Sequence, residues 1–325
     1  VASDYTRAFL RAHHKWALDY PDEALRVAFV EAHGAINRAI LREGDGIKEH
    51  EGVLLRCIDG EWDAVDGGAT ATVVLLIRSV SLVIGMVGDS SALLLGKEPS
   101  DGRFRYDVLL EEHSPTATKE YVRMRKEPFP GKGGEVKFVY DCKDFEEFNI
   151  FAEDAHGAAY LNEEALKQAD AHDVDVKNAR NDRFTLLLIP EETLTLTLTQ
   201  GVDASSAPQD VPALVEEQAI TMTRSLGDFY AHRYGVSAEP ETRHLSLSKL
   251  PADFYLLLLA SDGVWDIWEY AEVSSQLAGP DATDLSQETL EARASAFCEV
   301  TRSKGADLFD EAADNLTGVL FALPR

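Results

Sequence analysis

Two apolar runs, each bordered by an aspartate, place the strongest constraint on how this chain can fold. The run 254–259 leads into Asp262 of a Ser-Asp-Gly segment, and Asp314 comes just before the run 316–323. Apolar runs of this length are typical of buried strands, so each carboxylate is expected at a fixed sheet edge. Hard divalent cations prefer oxygen ligands, and clustered carboxylates are costly without a neutralising charge. We therefore predict a carboxylate-lined Mg²⁺ or Mn²⁺ site.

The charge balance limits the classes of partner. The chain of 325 residues has 57 acidic and 31 basic side chains, which gives a net charge of −26. Because phosphate contacts need Lys and Arg, we expect no nucleic-acid and no membrane partner. The charge suits cations and basic partners, although solubility alone accounts for most of it. The length, with 45% hydrophobic residues, predicts two domains or one large α/β domain with an insertion.

Three further features bear on the compartment. Cys57, Cys142 and Cys298 are widely spaced and odd in number, which favours a reducing compartment over a disulfide framework. The longest apolar stretch, 254–260, is far shorter than the roughly 20 residues of a membrane-spanning helix, and no signal peptide is visible. We expect a monomer in the cytoplasm or the nucleus. The chain begins at Val1 rather than Met, so we expect a longer gene product.

Hydrophobic periodicity predicts the elements on either side of a central segment. Helical spacing predicts a helix over 2–20, and Pro21-Asp22 is a typical start for a second one. A polar loop then leads to Gly67-Gly68. Three strands in an antiparallel meander are predicted next, over 71–77, 81–87 and 92–95. A helix is predicted after them, over 116–126. Those predicted after residue 219 are a strand from Phe254, helices over 269–277 and 286–303, and a final strand.

The segment 127–218 differs in character, and we predict that it is an insertion or flap. Proline and glycine interrupt its start, an acidic stretch follows, and two strands are predicted over 184–189 and 194–199. The second strand alternates Leu and Thr, so one of its faces is expected in water. Residues 1–126 and 219–325 would then form one domain. Their clustered helices and strands favour helices packed on antiparallel sheets.

Four short motifs occur in order, each beside an apolar strand or turn. They are Met-Val-Gly-Asp-Ser at 86–90, Thr-Arg-Ser-Leu-Gly-Asp at 223–228, Ala-Ser-Asp-Gly-Val-Trp-Asp at 260–266 and Asp-Asn-Leu-Thr at 314–317. A small-residue strand start at 68–71 precedes the first of them, and the turn Gly-Val-Ser-Ala-Glu-Pro-Glu at 235–241 lies between the second and the third. Together these segments resemble the metal-dependent serine/threonine protein phosphatases of type 2C, over roughly residues 67–126 and 219–325.

The resemblance implies a fold, a reaction and a set of site residues. The fold is α+β, a four-layer α-β-β-α sandwich of two antiparallel sheets with helices on both outer faces. The reaction is hydrolysis of phosphoserine and phosphothreonine in phosphoproteins, by water activated by two or more Mg²⁺ or Mn²⁺ ions. Asp262 and Asp314 match the catalytic carboxylates of the first metal. Asp89 and Asp266 match residues that, with Asp262, hold a further metal.

Each of these four residues also has a structural interpretation. Asp262 and Asp314 could simply be turn residues, and Asp89 could shape a hairpin turn. Asp266 could cap the following helix. The spacing of four between Asp262 and Asp266 nevertheless lets both carboxylates converge if the intervening turn is helical.

Other signals are ambiguous as well. Arg224 could bind phosphate, or it could pair with a core carboxylate such as Asp228. The tetrapeptide Glu-Asp-Ala-His at 153–156 is similar to an acidic segment of the family's N-terminal strand, but it lies inside the insertion. It is a coincidence or a metal-binding inserted loop. Asp59-Gly60 is expected to be a loop.

The family's sequence pattern also includes an N-terminal block of residues, which is not found before Gly67 in this sequence. This block comprises a Glu-Asp pair, an Asp-Gly-His-Gly-Gly turn and an upstream Arg, and its strands would cover sheet edges that otherwise invite aggregation. We expect these sheets to be completed by a segment upstream of Val1 or by strands of the insertion. Two functions therefore stay open: an active phosphatase, favoured by the retained acids, or an inactive pseudophosphatase acting as a regulatory binding module.

Overall fold

A computed structural model gives the fold of most of the chain. It describes residues 1–126 except 45, 51 and 99, then 134–140, 148–165, 167, 184–190, 218–250, 254–278, 284–310 and 313–323, and the backbone of 194–198 and 209–214. The helices are α1 (Ala2–Ala12), α2 (His14–Asp19), α3 (Pro21–Ile40), α4 (Thr118–Lys126), α5 (Phe229–His232), α6 (Asp262–Trp265), α7 (Tyr270–Ala278) and α8 (Gln287–Phe309). The strands are β1 (Ile47–His50), β2 (Val53–Ile58), β3 (Glu61–Ala64), β4 (Gly68–Ala69), β5 (Ala71–Ile77), β6 (Ser81–Val87), β7 (Ala92–Lys97), β8 (Phe104–Val108), β9 (Glu135–Tyr140), β10 (Phe148–Asn149), β11 (Phe151–Glu153), β12 (Ala159–Leu161), β13 (Phe184–Ile189), β14 (Leu194–Leu198), β15 (Gln209–Leu214), β16 (Gln218–Ile220), β17 (Leu226–Gly227), β18 (Glu241–Ser246), β19 (Phe254–Ala260) and β20 (Gly318–Ala322).

Two antiparallel sheets packed face to face form the centre of the fold. One has the strand order β18-β6-β5 and the other β20-β19-β7-β8. Alternate residues of a strand lie on opposite faces, and Leu82, Ile84 and Met86 of β6 point towards the second sheet. There they pack with Leu94 and Leu257 in one buried cluster. Burial of these aliphatic side chains holds the two sheets together.

Helices cover both outer faces of this pair of sheets. On the first sheet, Leu25 and Phe29 of α3 pack against Val83, which is on the face of β6 opposite Leu82. On the second sheet, Val273 of α7 and Phe297 of α8 belong to the cluster that covers the outer face of β19. The layers are therefore helix, sheet, sheet and helix, and the predicted α+β sandwich class is confirmed.

The N-terminal helical pair forms as predicted, with one break. The second helix begins at Pro21, where a proline at the first helical position costs no hydrogen bond. The first predicted helix, over 2–20, is instead two helices, since His13 leaves helical geometry at φ −108° and ψ 28°. The prediction of one continuous helix was wrong at that residue.

The predicted polar loop before Gly67 was also wrong, because it contains β1, β2 and β3. Val53 and Leu55 of β2 are fully buried against the side chains of the flap region, which supplies the reason for strand formation. The expected loop at Asp59-Gly60 is the tight turn between β2 and β3, with positive φ angles of 53° and 93°. Positive φ favours Gly and Asp at such turns.

The predicted meander of three strands also requires a correction. β5 and β6 pair in antiparallel register from Ala71–Val87 to Ile77–Ser81, as expected. β7, however, pairs with β19 in the opposite sheet. The connection after β6 crosses from one sheet to the other. It passes through Gly88, whose φ of +91° lies in a region that glycine adopts far more readily than other residues.

The segment 127–218 contributes strands to three further sheets, one of which is the two-stranded pair β11-β12. Of the other two, one has the order β10-β9-β13-β16, and in the second β15 joins β14 and pairs in parallel with β3. The predicted strand over 184–189 is β13, while the side chains of β14, and hence its expected wet face, lie outside the described residues. Phe138 and Tyr140 of β9 share a buried cluster with Tyr121 of α4. The domain division at 127 and 218 stays a prediction.

Among the described residues, β18 and β5 are the edge strands of one central sheet, and β20 and β8 those of the other. No described strand of the insertion pairs with any of these four, so the expectation that the insertion completes these sheets is not met in this part of the chain. A groove of about 630 Å³ follows β5 on one side and α1 on the other, lined by Leu10, Val74 and Leu226 among others. Completion by a segment upstream of Val1 stays a prediction.

Two expectations about thiols and membranes can be compared with the structure. Cys57 and Cys298 are free thiols, and Cys142 lies outside the described residues. Over the ranges that the structure covers, no helix is both long enough and apolar enough to span a bilayer.

Candidate metal centre

The acidic turn after β19 is a single helical turn. β19 ends at Ala260, Ser261 takes the N-cap position, and α6 begins at Asp262. The backbone N–H of Asp266 donates to the carbonyl of Asp262 at 2.8 Å, which brings residues four apart onto one face. The indole N–H of the buried Trp265 donates to the Ala260 carbonyl at 2.8 Å and fixes the turn against the strand. The predicted convergence through a helical turn is confirmed.

Strand pairing brings the second acidic segment to this turn. Ala260 lies opposite Gly318 in the antiparallel register of β19 and β20. Beyond that pair, the Ser261 N–H donates to the Thr317 carbonyl at 2.9 Å, and the Thr317 N–H donates to the Ser261 hydroxyl at 3.1 Å. Asp314 then lies beside α6, with one of its carboxylate oxygens accepting the Asn315 N–H at 2.7 Å.

Three of the four predicted acids form one group. One carboxylate oxygen from each of Asp262, Asp266 and Asp314 lies within 4.8 Å of the corresponding oxygens of the other two. Asp266 is buried, Asp262 is half-buried and Asp314 is exposed. Three hard, anionic oxygen donors repel one another without a cation and suit Mg²⁺ or Mn²⁺, so this donor set fits the metal that the sequence predicts. The alternative role of Asp266 as a helix cap is not observed, because α7 begins only at Tyr270.

Asp89 lies near this end of the sandwich but is not a member of the group of three. It is half-buried in the connection between β6 and β7. The carbonyl of Ser91, two residues later, accepts the N–H of Ala260 at 3.1 Å, so this connection borders the end of β19. The hydroxyls of Thr70 and Ser90 also hydrogen-bond at 2.7 Å. Both the metal role and the turn role of Asp89 remain compatible with this position.

Arg224 forms a buried ion pair, as its structural interpretation predicts, but with a different partner. Its guanidinium donates two hydrogen bonds to Glu120 of α4, at 3.0 and 2.7 Å, and one to the carbonyl of Glu239 at 2.9 Å. Arg123 also pairs with Glu120 at 2.9 Å. The predicted pairing with a core carboxylate is thus confirmed, but Asp228, the example given, is not the partner, since its carboxylate lies against Gly68.

The protonation of this ion group follows from its surroundings. Burial opposes ionisation of Glu120, but the hydrogen bonds and charge of Arg224, with the charge of Arg123, outweigh it and lower the pKa of this carboxyl to about 2. The His113 imidazole, whose Nε2 is 3.4 Å from a Glu241 carboxylate oxygen, and then the Lys119 ammonium at 2.8 Å lower the pKa of Glu241 to about 2. Both carboxylates are therefore ionised at neutral pH, and they connect α4 to the segments that follow the flap.

The acidic tetrapeptide at 153–156 forms the turn of a hairpin. One carboxylate oxygen of Asp154 accepts the N–H groups of His156 and Ala158 at 2.8 and 2.9 Å. Glu153 lies 3.2 Å from Arg125. These contacts give both acidic residues a structural role at the hairpin of β11 and β12. They agree with the interpretation that the similarity of this tetrapeptide to the family's acidic segment is a coincidence.

Some residues beside the site were not predicted from the sequence. The hydroxyls of Ser91 and Tyr270 both hydrogen-bond the carboxylate of Glu112, at 3.1 and 2.8 Å. Ser91 and Tyr270 are 179 positions apart, so no local spacing could indicate this contact. The only available signal was the nearness of Ser91 to Asp89 and of Tyr270 to Asp266.

Comparison with known proteins gives one family. The model of the family "Protein phosphatase 2C" matches residues 39–137 and 214–294, more than half of the chain. The "Probable protein phosphatase 2C 61" of Arabidopsis thaliana is 41% identical over 56 residues, which are 17% of this chain and 16% of the plant protein. The aligned segment thus spans about one sixth of that relative.

Two solved structures of similar fold are serine/threonine phosphatases. The serine-threonine phosphatase 2C of Toxoplasma gondii superposes with a TM-score of 0.50 at 14% identity, covering 99% of this chain and 75% of that one. The serine/threonine phosphatase Stp1 of Staphylococcus aureus gives a TM-score of 0.42 at 14% identity, with coverage of 99% and 77%. The first of these likenesses bears on the fold alone. On the family match, the ordered motifs and the layered sandwich, the chain belongs to the protein phosphatase 2C family.

Proposed function

We propose that the protein is a Mg²⁺- or Mn²⁺-dependent protein serine/threonine phosphatase that acts on phosphoprotein substrates. The observation that carries the proposal is the convergence of the carboxylates of Asp262, Asp266 and Asp314 to within 4.8 Å. Membership of the protein phosphatase 2C family supports the reaction class. The exposed position of Asp314 keeps one side of the group accessible to a substrate.

Each acidic residue has its own part in this proposal. Asp262 and Asp314 would hold the first metal, and Asp266 and Asp89, with Asp262, would hold a further one. When bound, the metals would lower the pKa of a water molecule and neutralise charge on the phosphoryl oxygens. The chain's own contribution is preorganisation, because the helical turn and the strand pairing fix three carboxylates before any cation arrives.

A second candidate function is a catalytically inactive pseudophosphatase that acts as a regulatory binding module. One observation favours it: Asp89 is outside the group of three carboxylates. We favour the enzyme, since a binding module has no requirement for several clustered acids at one sheet end.

Hydrolysis assays on the full-length protein distinguish the two functions. We expect Mn²⁺-dependent hydrolysis of a phosphothreonine peptide and of a chromogenic phosphate ester. The Asp262→Asn variant should lose about 100-fold or more of its hydrolytic activity. Even substitutions outside the coordination shell of a metal lower metal affinity or activity by roughly 10- to 100-fold. Asp307→Asn, an exposed acid on α8, is the matched control and should retain full activity. Folded protein that is inactive at millimolar Mn²⁺ would decide for the binding module.

We also propose that the segment 127–218 influences substrate choice. Its acidic residues favour basic sequences around the phosphorylated residue, although many of them lie outside the described residues. Deletion of the segment should change the preference among phosphopeptides and spare hydrolysis of the small ester. Loss of both activities would instead assign the segment a structural role.

A further inference from the structure

Three polar side chains from distant parts of the chain meet beside the acidic group. The hydroxyls of Ser91 and Tyr270 donate to the same carboxylate oxygen of Glu112, at 3.1 and 2.8 Å. The two hydroxyls are themselves 3.2 Å apart. Ser91 is fully buried, and Glu112 and Tyr270 are partly buried. We call Ser91, Glu112 and Tyr270 the hydroxyl–carboxylate cluster.

Two members of the cluster belong to segments that carry a predicted metal ligand. Ser91 follows Asp89 by two residues, and Tyr270 follows Asp266 by four. The Tyr270 ring packs edge-on against Trp265, with 5.3 Å between the ring centroids. Trp265 is next to Asp266 and is fixed in turn by its hydrogen bond to the end of β19. We call residues 88–91, which connect β6 to β7, the Asp89 turn. The cluster therefore connects the Asp89 turn to the helical turn that holds Asp266.

The third member extends this connection to the other end of the Asp89 turn. Glu112 precedes His113, whose backbone N–H donates to the Gly88 carbonyl at 3.0 Å. The imidazole Nδ1 of His113 is also 3.1 Å from the Gly88 nitrogen. The segment 112–113 thus contacts the Asp89 turn on both sides, at Gly88 and at Ser91.

Ser274, which is also on α7, provides a comparison, because its hydrogen bond only connects the helix to the sheet. The hydroxyl of Ser274 is fully buried and donates to the carbonyl of Arg105 on β8 at 2.7 Å. That bond fastens α7 to the sheet, and neither Ser274 nor Arg105 lies within four residues of a predicted metal ligand. The bonds of Tyr270 and Ser91 differ, because each of these hydroxyls belongs to a residue within four positions of such a ligand, Asp266 or Asp89.

We propose that Ser91, Glu112 and Tyr270 are positioning residues that hold the Asp89 turn against the turn of Asp262 and Asp266, and so set the affinity for divalent metal. This inference rests on the metal centre of the proposed function. Groups that orient ligands from outside the coordination shell commonly change metal affinity by roughly 10- to 100-fold. None of the three cluster residues needs to touch the metal to have this effect.

Four hydroxyl deletions test the proposal without changing any charge. Tyr270→Phe and Ser91→Ala remove the hydroxyls of the cluster. Tyr106→Phe is matched to the first, because its half-exposed ring is 5.9 Å from that of Tyr270. Ser274→Ala is matched to the second, since it removes an equally buried hydroxyl of α7. The measurements are the Mn²⁺ dissociation constant, by titration calorimetry, and the metal-free melting temperature.

We expect Tyr270→Phe to raise the Mn²⁺ dissociation constant about 10-fold, and Ser91→Ala to raise it by a smaller factor. Tyr106→Phe and Ser274→Ala should stay within about 2-fold of the unchanged protein, even though Ser274→Ala lowers the metal-free melting temperature. If both cluster variants lose thermal stability but bind Mn²⁺ as tightly as their controls, the cluster is architectural and the inference is overturned. An unchanged protein that binds no Mn²⁺ would overturn the metal centre together with the inference.

Discussion

Glu120 is a carboxylate with a side chain only 1% exposed, so its charge depends on its cationic neighbours. Arg224 meets it with two hydrogen bonds and Arg123 with one pairing contact, which satisfies both oxygens. Removing one member of such a group leaves an uncompensated charge in the interior, a larger loss than the pair contributes in water. This group fastens α4 to the Thr-Arg-Ser-Leu-Gly-Asp segment that the sequence motifs singled out.

For Glu120→Gln we therefore predict a loss of about 3 kcal/mol in the free energy of unfolding, measured by urea denaturation at pH 7. The matched control is Glu43→Gln, which breaks an exposed pair with Arg56 and should cost less than about 1 kcal/mol. The folded pKa of Glu120 lies below its ordinary value of 4.5, so its contribution is present above pH 4.5 and is lost as the pH falls towards 2. Equal losses for both variants would contradict this account.

Two stacked histidines predict a second pH effect. Burial, with the charge of His33, lowers the pKa of His232 to about 3, and burial also lowers the pKa of His33. The rings are 4.3 Å apart. Because the unfolded chain binds these protons below about pH 6.5 and the folded one does not, stability is full above pH 6.5 and falls as the pH drops.

The test is His232→Gln, which removes the titrating ring. Between pH 7.5 and pH 5 its free energy of unfolding should fall by about 2 kcal/mol less than that of the unchanged protein. His14→Gln, on the exposed surface, should leave the pH dependence unaltered. A parallel pH profile for His232→Gln would mean that this imidazole takes up a proton in the folded state as readily as in the unfolded one.

Sequence reasoning found Asp262, Asp266 and Asp314 because each lies a few residues from a strongly apolar strand, and strand ends are fixed by pairing. It named Asp228 only as an example of a partner for Arg224 and did not identify Glu120, because tertiary packing decides which core carboxylate an arginine meets. Glu120 is 104 positions away, inside a helix rich in charged residues, where nothing local distinguishes it from a solvated side chain. Long-range pairs of this kind leave no periodic signal.

At the scale of elements, α6 and the approach to β20 form one packed unit. Gly263 is the second residue of α6, and a Cβ atom at this position would overlap the carbonyl oxygen of Asn315, next to Asp314. Glycine is therefore required here by the close approach of two backbones rather than by a positive φ angle. The contact sets how near Asp314 comes to the helical turn.

Gly263→Ala should force these two segments apart. We expect a loss of about 1–3 kcal/mol in unfolding free energy and a rise of about 10-fold in the Mn²⁺ dissociation constant. Gly305→Ala on α8 is the control, because the added Cβ would meet side chains rather than backbone: the flexible tip of Ile267 at 3.0 Å and the Cβ of Ala313 at 3.8 Å. That variant should bind Mn²⁺ normally. Normal Mn²⁺ binding by Gly263→Ala would show that the spacing of the acids does not depend on this contact.

Element predictions succeeded where the apolar pattern was strong. β5, β6 and β13 begin and end at the predicted residues, since buried strands are bounded by turn residues. β1 to β3 were missed because their sequences are short and mixed in polarity, and β3 is completed by pairing with β15 about 150 residues away. The change of sheet between β6 and β7 has no sequence signal beyond Gly88.

At the scale of the whole molecule, the sandwich brings the candidate ligands to one end. The pairing of β19 with β7 and β20 places the ends of three chain segments side by side, so acids far apart in sequence become neighbours. The same sheets have edge strands at β18 and β5 and at β20 and β8 among the described residues. An uncovered edge strand is a surface on which a further strand can pair.

The central claim is that Asp262, Asp266 and Asp314 bind a divalent cation together. Its most direct test is anomalous diffraction from crystals soaked in Mn²⁺, with Asp262→Asn crystals soaked in parallel. We predict an anomalous peak at about 2–2.5 Å from carboxylate oxygens of at least two of the three residues, the usual range for such ligands, and its loss in the variant. A well-ordered group of three carboxylates without any peak at millimolar Mn²⁺ would contradict the claim.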